Sequence, residues 1–217
     1  MRVLQYRIAI VSDAQSWINK YIPTLVAALE KQGHTIKYVH DIQSIPKGDF
    51  VFYLGCGQLV PSTILARNRH NLVVHESALP KGKGWSPLTW QILEGKNEIP
   101  ITLFEAVEKV DNGTIYMSDI MKFKGTELVD ELRKVQGKTS IQMCIRFVEE
   151  YPDIVASGIE QPAESTYYPR RGPEDSKLDV DKSLREQFNM LRVVDNDRYP
   201  AYFELNGMRY TLKIKKG

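Results

Sequence analysis

Short apolar runs alternate with helix-forming segments through the first third of the chain. Arg7 to Ser12 is an apolar run typical of a buried parallel strand, and His34 to His40 and Phe50 to Leu54 have the same strand character. Between them, Trp17 to Lys31 carries apolar residues at helical spacing, and a further helix is predicted from Pro61 to about Arg67. This alternation predicts an α/β protein with a Rossmann-like, mostly parallel, twisted sheet flanked by helices.

The later part of the chain predicts one long helix and a terminal hairpin. Apolar residues at helical spacing run from Gly125 to Tyr151, with Gly137 as a point of interruption. A second helix is predicted from Ser183 to Val194. Apolar and polar residues alternate over Tyr202 to Ile214 on both sides of Asn206-Gly207, which predicts a β-hairpin with a two-residue turn.

The amino-acid composition changes near Gln161. From Gln161 to Pro173 the chain is rich in Pro, Tyr and Arg, which predicts a strap that crosses the surface. We therefore predict two parts, an N-terminal catalytic domain over residues 1–160 and, over residues 161–217, the strap with a small C-terminal subdomain of one helix and the hairpin.

The composition excludes several classes of protein. The 217 residues are 42% hydrophobic and 26% charged, which suits one substantial core. A net charge of +2 gives no reason to expect a nucleic-acid partner. No apolar run approaches the roughly 18 residues of a membrane span, and no secretory pattern opens the chain, so we expect a cytoplasmic protein with no membrane partner. Cys56 and Cys144 lack metal or redox spacing and are interpreted as reduced packing residues.

Two polar motifs follow strand-like runs in the middle of the chain. Val73 to Pro80 delivers His75 into a loop rich in Gly, Pro and Lys, and Ile101 to Ile115 passes through Asp111 just before Asn112-Gly113. Ligands of such sheets bind beyond the carboxyl ends of the strands, where an imidazole and a carboxylate can meet. Taken singly, each has an ordinary alternative, a surface histidine and a turn-forming aspartate. Together they are our candidate catalytic pair.

The spacing of these motifs resembles that of the folate-dependent formyltransferase family. The family's His-x-Ser-x-x-Pro and Asp-x-Gly-x-Ile/Met segments are matched by His75, Ser77, Pro80, Asp111, Gly113 and Ile115. The likeness covers most of the chain, from about Gly55 to Ile214. It implies an enzyme that transfers a one-carbon group, with His75 and Asp111 as catalytic residues, 10-formyltetrahydrofolate as the formyl donor and no metal.

The resemblance also implies two walls for the pterin ring of the donor. One is the loop GCGQLVP, from Gly55 to Pro61, and the other is the loop from Phe104 to Asp111. The residues that it assigns to the folate are Gly57, Gln58, Leu59, Val60, Phe104, Ala106, Val107 and Val110.

One position departs from the family pattern. The family strand ends Asn-x-His, and the Asn amide helps to polarise the formyl oxygen, whereas this chain has Val73 there. Side chains alternate along a strand, so Asn71 shares a face with His75 but lies about 6 to 7 Å further back. Asn71 is therefore not a simple substitute, and the departure predicts either another donor or a slow enzyme.

The region that follows the main domain is similar to that of sugar N-formyltransferases, which act on nucleotide-linked amino-deoxy sugars of surface polysaccharides. Tyr167 to Asp179 matches their strap, and a transfer-RNA formyltransferase would be expected to carry a larger C-terminal domain. The resemblance thus implies a nucleotide-linked amino sugar as the acceptor. The residues that it assigns to the substrate are Ser77, Lys81, Lys83, Trp85, Tyr168, Arg170 and Arg171.

Other roles stay open for these substrate residues. The two lysines suit either an anion-facing rim or a solvated loop, and Trp85 suits either stacking on a ligand or packing on the sheet. The two arginines suit either a diphosphate or an ion pair with Glu174 or Asp175.

Two further functions remain open, and both follow from the same residues. A folate-binding homologue with weakened catalysis is suggested by Val73, and a 10-formyltetrahydrofolate hydrolase would use the same His and Asp to activate water. The loop from His75 to Pro87 is also similar to formyltransferases of nonulosonic, pseudaminic-type acid pathways. An exposed hairpin edge leaves a homodimer open.

Overall fold

The computed structural model describes residues 4–217. The strands are β1 (Arg7–Val11), β2 (Thr35–Val39), β3 (Gly48–Tyr53), β4 (Asn68–His75), β5 (Lys83–Gly84), β6 (Glu98–Glu105), β7 (Ile115–Lys122), β8 (Tyr167–Tyr168), β9 (Ala201–Leu205) and β10 (Met208–Leu212). The α-helices are α1 (Ile22–Lys31), α2 (Ser62–Leu65), α3 (Pro87–Leu93), α4 (Val129–Glu149), α5 (Asp153–Ala156) and α6 (Phe188–Val193). Short 3-10 turns cover Trp17–Lys20, Ile42–Ser44 and Pro173–Ser176.

The central sheet has the order β2-β1-β3-β4-β6-β7. The strands β2, β1, β3 and β4 run parallel, whereas β6 is antiparallel to both β4 and β7. The register pairs His75 with Thr102, so the end of β4 lies beside the middle of β6. The prediction of a mostly parallel sheet flanked by helices is confirmed.

The largest core fills the face of the sheet that α1 and α4 cover. Phe50, Phe52 and Phe147 are fully buried there, because apolar side chains of β3 meet those of α4. The prediction that α4 is interrupted at Gly137 is wrong. Gly137 lies inside the continuous helix, and a Cβ atom there would lie 2.6 Å from the ring of Tyr21, so the glycine permits close packing.

Two other helix predictions need correction. The helix predicted from Trp17 to Lys31 is divided, because a 3-10 turn ends at Lys20 and α1 begins at Ile22 with Pro23 in its first turn. The helix predicted from Ser183 to Val194 is shortened to α6, which begins at Phe188. The hairpin is confirmed as β9 and β10, with Asn206 and Gly207 both at positive φ.

The segment after residue 160 forms a short strand beside the loop after β4 and then a small apolar cluster. Tyr167 and Tyr168 form β8, which pairs in parallel with β5. Leu178, Leu191, Val194 and Ala201 are buried together beneath the hairpin. The division of the chain at residues 160 and 161 stays a prediction. Within residues 4–217 no helix is both long enough and apolar enough to cross a membrane.

Candidate active site

His75 is the last residue of β4 and its side chain is buried. The residue is only 7% exposed, and its ring lies edge-to-face with that of Phe104 at a centroid distance of 6.5 Å. Its Nε2 atom lies 2.8 Å from the carbonyl oxygen of Gly82. A carbonyl oxygen can only accept a hydrogen bond, so this nitrogen carries the proton. His75 therefore presents an N–H donor at the end of the strand.

Asp111 lies in the loop that follows β6 and has a left-handed backbone, with φ of 51°. Its Oδ2 atom accepts a hydrogen bond of 2.8 Å from the Gly84 N–H and lies 4.0 Å from His75 Nε2. Both side chains are almost fully buried, at 9% and 10% exposed. The structure thus brings together the two residues that the sequence predicts as a pair.

The loop between Gly82 and Trp85 connects this pair to the strap. The strap accepts hydrogen bonds from the loop at three places, from Gly82 N to Thr166 Oγ1, from Lys83 N to Thr166 O and from Trp85 N to Tyr168 O. Gly84 has φ of 96°, and a Cβ atom there would clash with the Tyr168 carbonyl, so only glycine allows this approach. The strap therefore fixes the loop that contacts both His75 and Asp111.

The side-chain amide of Asn71 is already hydrogen-bonded within the protein through both its nitrogen and its oxygen. Its Nδ2 donates to the Leu65 carbonyl at 3.0 Å and its Oδ1 accepts from the Tyr53 hydroxyl at 3.2 Å. Val73, at the position where the family carries Asn, is partly buried and packs against an apolar cluster that Val60 and Ala106 also contact. This part of the site is apolar.

The residues assigned to the folate line an apolar surface with an open side. Phe104 is buried behind His75, and Val60 and Ala106 are partly buried beside Val73. The exposed members are Leu59, Val107 and Val110, at 77%, 42% and 50% exposed. An apolar floor with exposed apolar sides fits a flat heteroaromatic ring such as a pterin.

Gly57 and Gln58 are held by the neighbouring strand ends. The Gly57 N–H donates to Asp13 Oδ2 at 2.9 Å, and Gln58 Nε2 donates to Asp13 Oδ1 at 3.3 Å and to the His40 carbonyl at 3.1 Å. Asp13 therefore fixes the shape of the predicted folate loop. The motif search did not single out Asp13, because an aspartate after a strand is a common turn former.

Two of the predicted substrate residues are buried. Lys83 is 8% exposed and its Nζ donates to Asn112 Oδ1 at 2.7 Å, so it lies neither on an anion-facing rim nor in a solvated loop. Burial lowers the pKa of the Lys83 ammonium group. Ser77 is 2% exposed, and its Oγ has no hydrogen-bond partner within residues 4–217. Lys81 is exposed, as the prediction of a rim requires.

Tyr168 and the two arginines pack against tryptophans. Tyr168 stacks on Trp90 and donates from its hydroxyl to Glu94 Oε1 at 2.7 Å. The Arg170 guanidinium lies 4.8 Å from the centre of a Trp85 ring. Arg171 Nη2 donates to the backbone carbonyl of Asp175. The sequence allowed an ion pair of these arginines with Glu174 or Asp175. In the part of the chain that the structure describes, neither arginine forms one.

A cavity of about 360 Å³ opens beside the catalytic loop. It is lined by the loops after β1 and β3, by α4, by the strap and by the start of the terminal subdomain. The charged side chains of its wall are Glu76, Arg133, Arg170, Arg171, Asp195 and Arg198. The aromatic ones are Trp17, Trp85 and Tyr199. Four guanidinium groups and two carboxylates make this wall positive overall.

The motif search also missed Glu76 and Thr166. Glu76 follows His75 directly, at the variable position of the His-x-Ser segment. Thr166 comes just before the segment from Tyr167 to Asp179 that resembles the family's strap. A cluster of three or more His, Cys, Asp or Glu side chains arranged for a metal is not found among residues 4–217.

A family model described as formyl transferase matches residues 10–146, which is more than half of the chain. The chain belongs to the formyl transferase family. The match spans both His75 and Asp111, so the catalytic candidates lie within the region that defines this formyl transferase domain.

Curated relatives of this formyltransferase chain include methionyl-tRNA formyltransferases. A methionyl-tRNA formyltransferase of Streptococcus thermophilus is 30% identical over 170 residues, covering 74% of this chain and 51% of the relative. That of Lactobacillus acidophilus is 28% identical over 167 residues, covering 75% and 52%. The chain thus spans about half the length of the curated relatives it matches.

Solved structures with the same fold include enzymes for different acceptors. A methionyl-tRNA formyltransferase from Clostridium thermocellum aligns with a TM-score of 0.77 at 19% identity, covering 96% of this chain and 92% of that one. A 4-N formyltransferase from Francisella tularensis aligns with a TM-score of 0.71 at 20% identity, covering 97% and 98%. HypX from Aquifex aeolicus, in complex with tetrahydrofolic acid, aligns with a TM-score of 0.78 at 17% identity, covering 96% and 37%. At these identities the likeness establishes the fold alone, and a pseudaminic-type pathway has no support from these comparisons.

Proposed function

We propose that this formyltransferase moves the formyl group of 10-formyltetrahydrofolate to the amine of a nucleotide-linked amino-deoxy sugar. The observation that carries the proposal is the positive, aromatic-lined cavity beside the loop that holds His75 and Asp111. Such a wall suits an acceptor that combines a base, a phosphate and an amine.

The donor side of the proposal rests on the apolar cleft around Val73. Val60 and Ala106 form its floor, and Leu59, Val107 and Val110 leave apolar surface exposed at its sides. A pterin ring in this cleft would place its formyl group near the end of β4, where His75 ends the strand. The acceptor amine then attacks the formyl carbon, the bond from this carbon to N10 of the folate breaks, and tetrahydrofolate leaves with the proton that the amine gives up.

The chemistry assigned to the pair is stabilisation of the oxygen of the tetrahedral intermediate. His75 Nε2 carries a proton, because its neighbour at 2.8 Å is a carbonyl oxygen. That N–H can turn from Gly82 to the developing oxyanion. The carboxylate of Asp111 lies 4.0 Å from this nitrogen and is fixed by the Gly84 N–H. Val73 offers no second donor, so His75 is proposed as the principal one.

The acceptor side of the proposal rests on the arginines of the strap. Arg170 lies over Trp85, and Arg171 has a buried Nε without a partner within residues 4–217. A guanidinium presents paired donors that match phosphate oxygens, and a tryptophan face suits a nucleobase. Methionyl-tRNA is the second candidate acceptor, because the curated relatives carry that name.

The test is a formyl-transfer assay with 10-formyltetrahydrofolate and a panel of acceptors. The panel contains dTDP-, UDP- and GDP-linked 4-amino-4,6-dideoxyhexoses, methionyl-tRNA, and a reaction without an acceptor. We expect a formylated nucleotide sugar with at least one nucleotide. Formylated methionyl-tRNA would replace the sugar by the second candidate, and formate released without an acceptor would identify a hydrolase instead. Folate binding without any of these products would overturn the transferase proposal.

A further inference from the structure

Glu76 is a carboxylate in the cavity wall that the mechanism above does not use. It follows His75 at the end of β4, and α4 holds it, because Gln136 Nε2 donates to Glu76 Oε1 at 2.7 Å. The Glu76 carbonyl accepts a hydrogen bond of 2.6 Å from Gln91 Nε2 of α3. Two helices therefore fix the position of this residue.

The carboxylate is close enough to the catalytic pair for their charges to act on it. Burial raises the pKa of Glu76, the positive charge of His75 lowers it, and the negative charge of Asp111 raises it again. Glu76 is next to His75 in the chain, and Asp111 lies 4.0 Å from the His75 imidazole. Of these three side chains, Glu76 lines the cavity.

Glu76 has no cationic partner in the part of the chain that is described. The other carboxylate of the wall, Asp195, forms an ion pair of 2.9 Å with Arg133 and accepts the N–H groups of Asp197 and Arg198. For Glu76, the protein supplies only the amide of Gln136 as a side-chain donor within residues 4–217. A carboxylate withdrawn from water is normally paired with a cation. A cationic group of a ligand in the cavity can therefore pair with Glu76.

We propose that Glu76 binds the amino group of the acceptor and thereby holds the nitrogen next to His75. This inference rests on the proposed function, since it assigns an acceptor amine to the cavity. Primary amines carry a positive charge near neutral pH, and the pairing of that charge with Glu76 is a binding step that precedes loss of the proton. The positive remainder of the wall then takes the anionic part of the same molecule. The acceptor class is therefore an amine joined to a phosphate-bearing group.

The experiment compares two ligands that differ at one group. dTDP-4-amino-4,6-dideoxyglucose and dTDP-6-deoxyglucose share the nucleotide and differ at the sugar's C4, which carries an amine in one and a hydroxyl in the other. Calorimetry on the full chain without folate measures both dissociation constants. We expect the parent protein to prefer the amine by about 10- to 100-fold, as for hydrogen bonds to charged groups.

Three variants locate the preference. Glu76→Gln keeps the shape and an acceptor for Gln136, and we expect it to bind the two ligands equally. Glu76→Asp keeps the charge but withdraws it by one methylene, and we expect an intermediate preference. Glu98→Gln is the matched control, because Glu98 is 68% exposed and pairs with Lys122 on the surface. We expect it to keep the parent's preference.

The outcomes separate this inference from the proposed function. Equal discrimination in the parent and in Glu76→Gln, with normal formyl transfer, overturns the inference and leaves the function standing. Discrimination that depends on Glu76, in a protein that transfers no formyl group, overturns the function and leaves the amine-binding role. A parent protein that binds neither ligand, nor the corresponding UDP- and GDP-linked pairs, overturns both. If Glu76→Gln does not fold, parental discrimination in Glu76→Asp overturns the inference.

Discussion

His75 Nε2 and Asp111 Oδ2 lie 4.0 Å apart, and the loop from Gly82 to Gly84 forms a hydrogen bond with each of them. The Gly82 carbonyl accepts from the histidine, and the Gly84 N–H donates to the aspartate. The two side chains are therefore coupled through a backbone segment. That segment is held in turn by Thr166 and Tyr168 of the strap. The strap is thus part of the structure that orders the catalytic pair.

Replacing His75 should remove most of the formyl transfer. The variant His75→Ala loses the imidazole N–H donor at the end of β4. Loss of an oxyanion donor lowers kcat by about 100- to 1000-fold, and we expect that range here. The measurement is the initial rate of transfer from 10-formyltetrahydrofolate. His34→Gln, a buried histidine just before β2, is the matched control and should keep its rate. A His75→Ala variant as fast as the parent would remove His75 from the mechanism.

Replacing Thr166 should slow the enzyme without unfolding it. In Thr166→Val the Gly82 N–H loses its acceptor at 2.8 Å, while the backbone bond from Lys83 to residue 166 remains. One lost hydrogen bond costs about 1 kcal/mol, but it falls on the loop that holds both catalytic side chains. We expect kcat to fall about 10-fold, with the melting temperature lowered by only a few degrees. Thr126→Val, outside the strap, is the control. An unchanged kcat with a lower melting temperature would leave the strap a purely structural role.

Glu127 should make the stability of the protein depend on pH. Its burial raises the pKa of the carboxyl, but hydrogen bonds from the N–H groups of Lys124, Gly125 and Thr126 outweigh this and hold the pKa below its ordinary 4.5. The buried guanidinium of Arg192 lies 3.4 Å from the same carboxylate. A depressed pKa stabilises the fold above the unfolded value, and this stabilisation is lost as pH falls through the folded value.

The variant Glu127→Gln isolates this contribution. At about pH 7 it should lower the free energy of unfolding by about 1–3 kcal/mol, since bonds to a charged acceptor are lost. Below pH 4.5 the difference between the variant and the parent should shrink, because the parent carboxyl becomes protonated. Urea unfolding at several pH values measures both. Glu98→Gln, whose carboxyl is 68% exposed, should show little difference at any pH. A difference for Glu127→Gln that is constant with pH would exclude the carboxylate as its source.

Most of the fold could be predicted from the sequence because the patterns that indicate its strands and turns are local. Continuous apolar runs produced β1 and β3, and Asn206-Gly207 produced the turn between β9 and β10. The incorrect helix predictions concern positions where contacts between distant residues, or the position of a proline, decide the structure. The glycine at position 137 predicts an interruption of the helix, but the ring of Tyr21 packs against Gly137 and the helix continues. The division after Lys20 follows from Pro23, which can occupy the first turn of a helix but not its interior.

The candidate site could be predicted only in part, because several of its contacts join residues that are distant in the sequence. The motif spacing identified His75 and Asp111, since His75 ends β4 and Asp111 lies in the loop after the neighbouring strand β6. The two strands are antiparallel, so it is this loop, and not a shared strand end, that brings Asp111 to within 4.0 Å of His75. The burial of Lys83 and its bond to Asn112 depend on how two loops fold over each other, which no spacing records. The pairing of β5 with β8 is equally nonlocal. Thr166 and Glu76 gain their roles only through such contacts.

Restoring an amide at position 73 should speed the reaction. Val73 shares a face of β4 with His75 and borders the apolar cleft with Val60 and Ala106, so an Asn side chain there reaches the space where the formyl oxygen would lie. A second donor to the oxyanion acts in the transition state, and we expect Val73→Asn to raise kcat by about 10-fold or more with little change in KM. Burying the amide should cost about 1 kcal/mol of stability.

The control for this change is Val73→Thr, which is nearly isosteric with valine but carries a hydroxyl too short to reach the formyl oxygen. It should keep the parental kcat while showing a similar loss of stability. Steady-state kinetics with the accepted amine and thermal unfolding of each variant measure the two effects. A folded Val73→Asn protein that is no faster would mean that another group already supplies the second donor. Ser77, whose buried Oγ has no partner within residues 4–217, would then be the residue to replace, because its hydroxyl is free to turn toward the oxyanion.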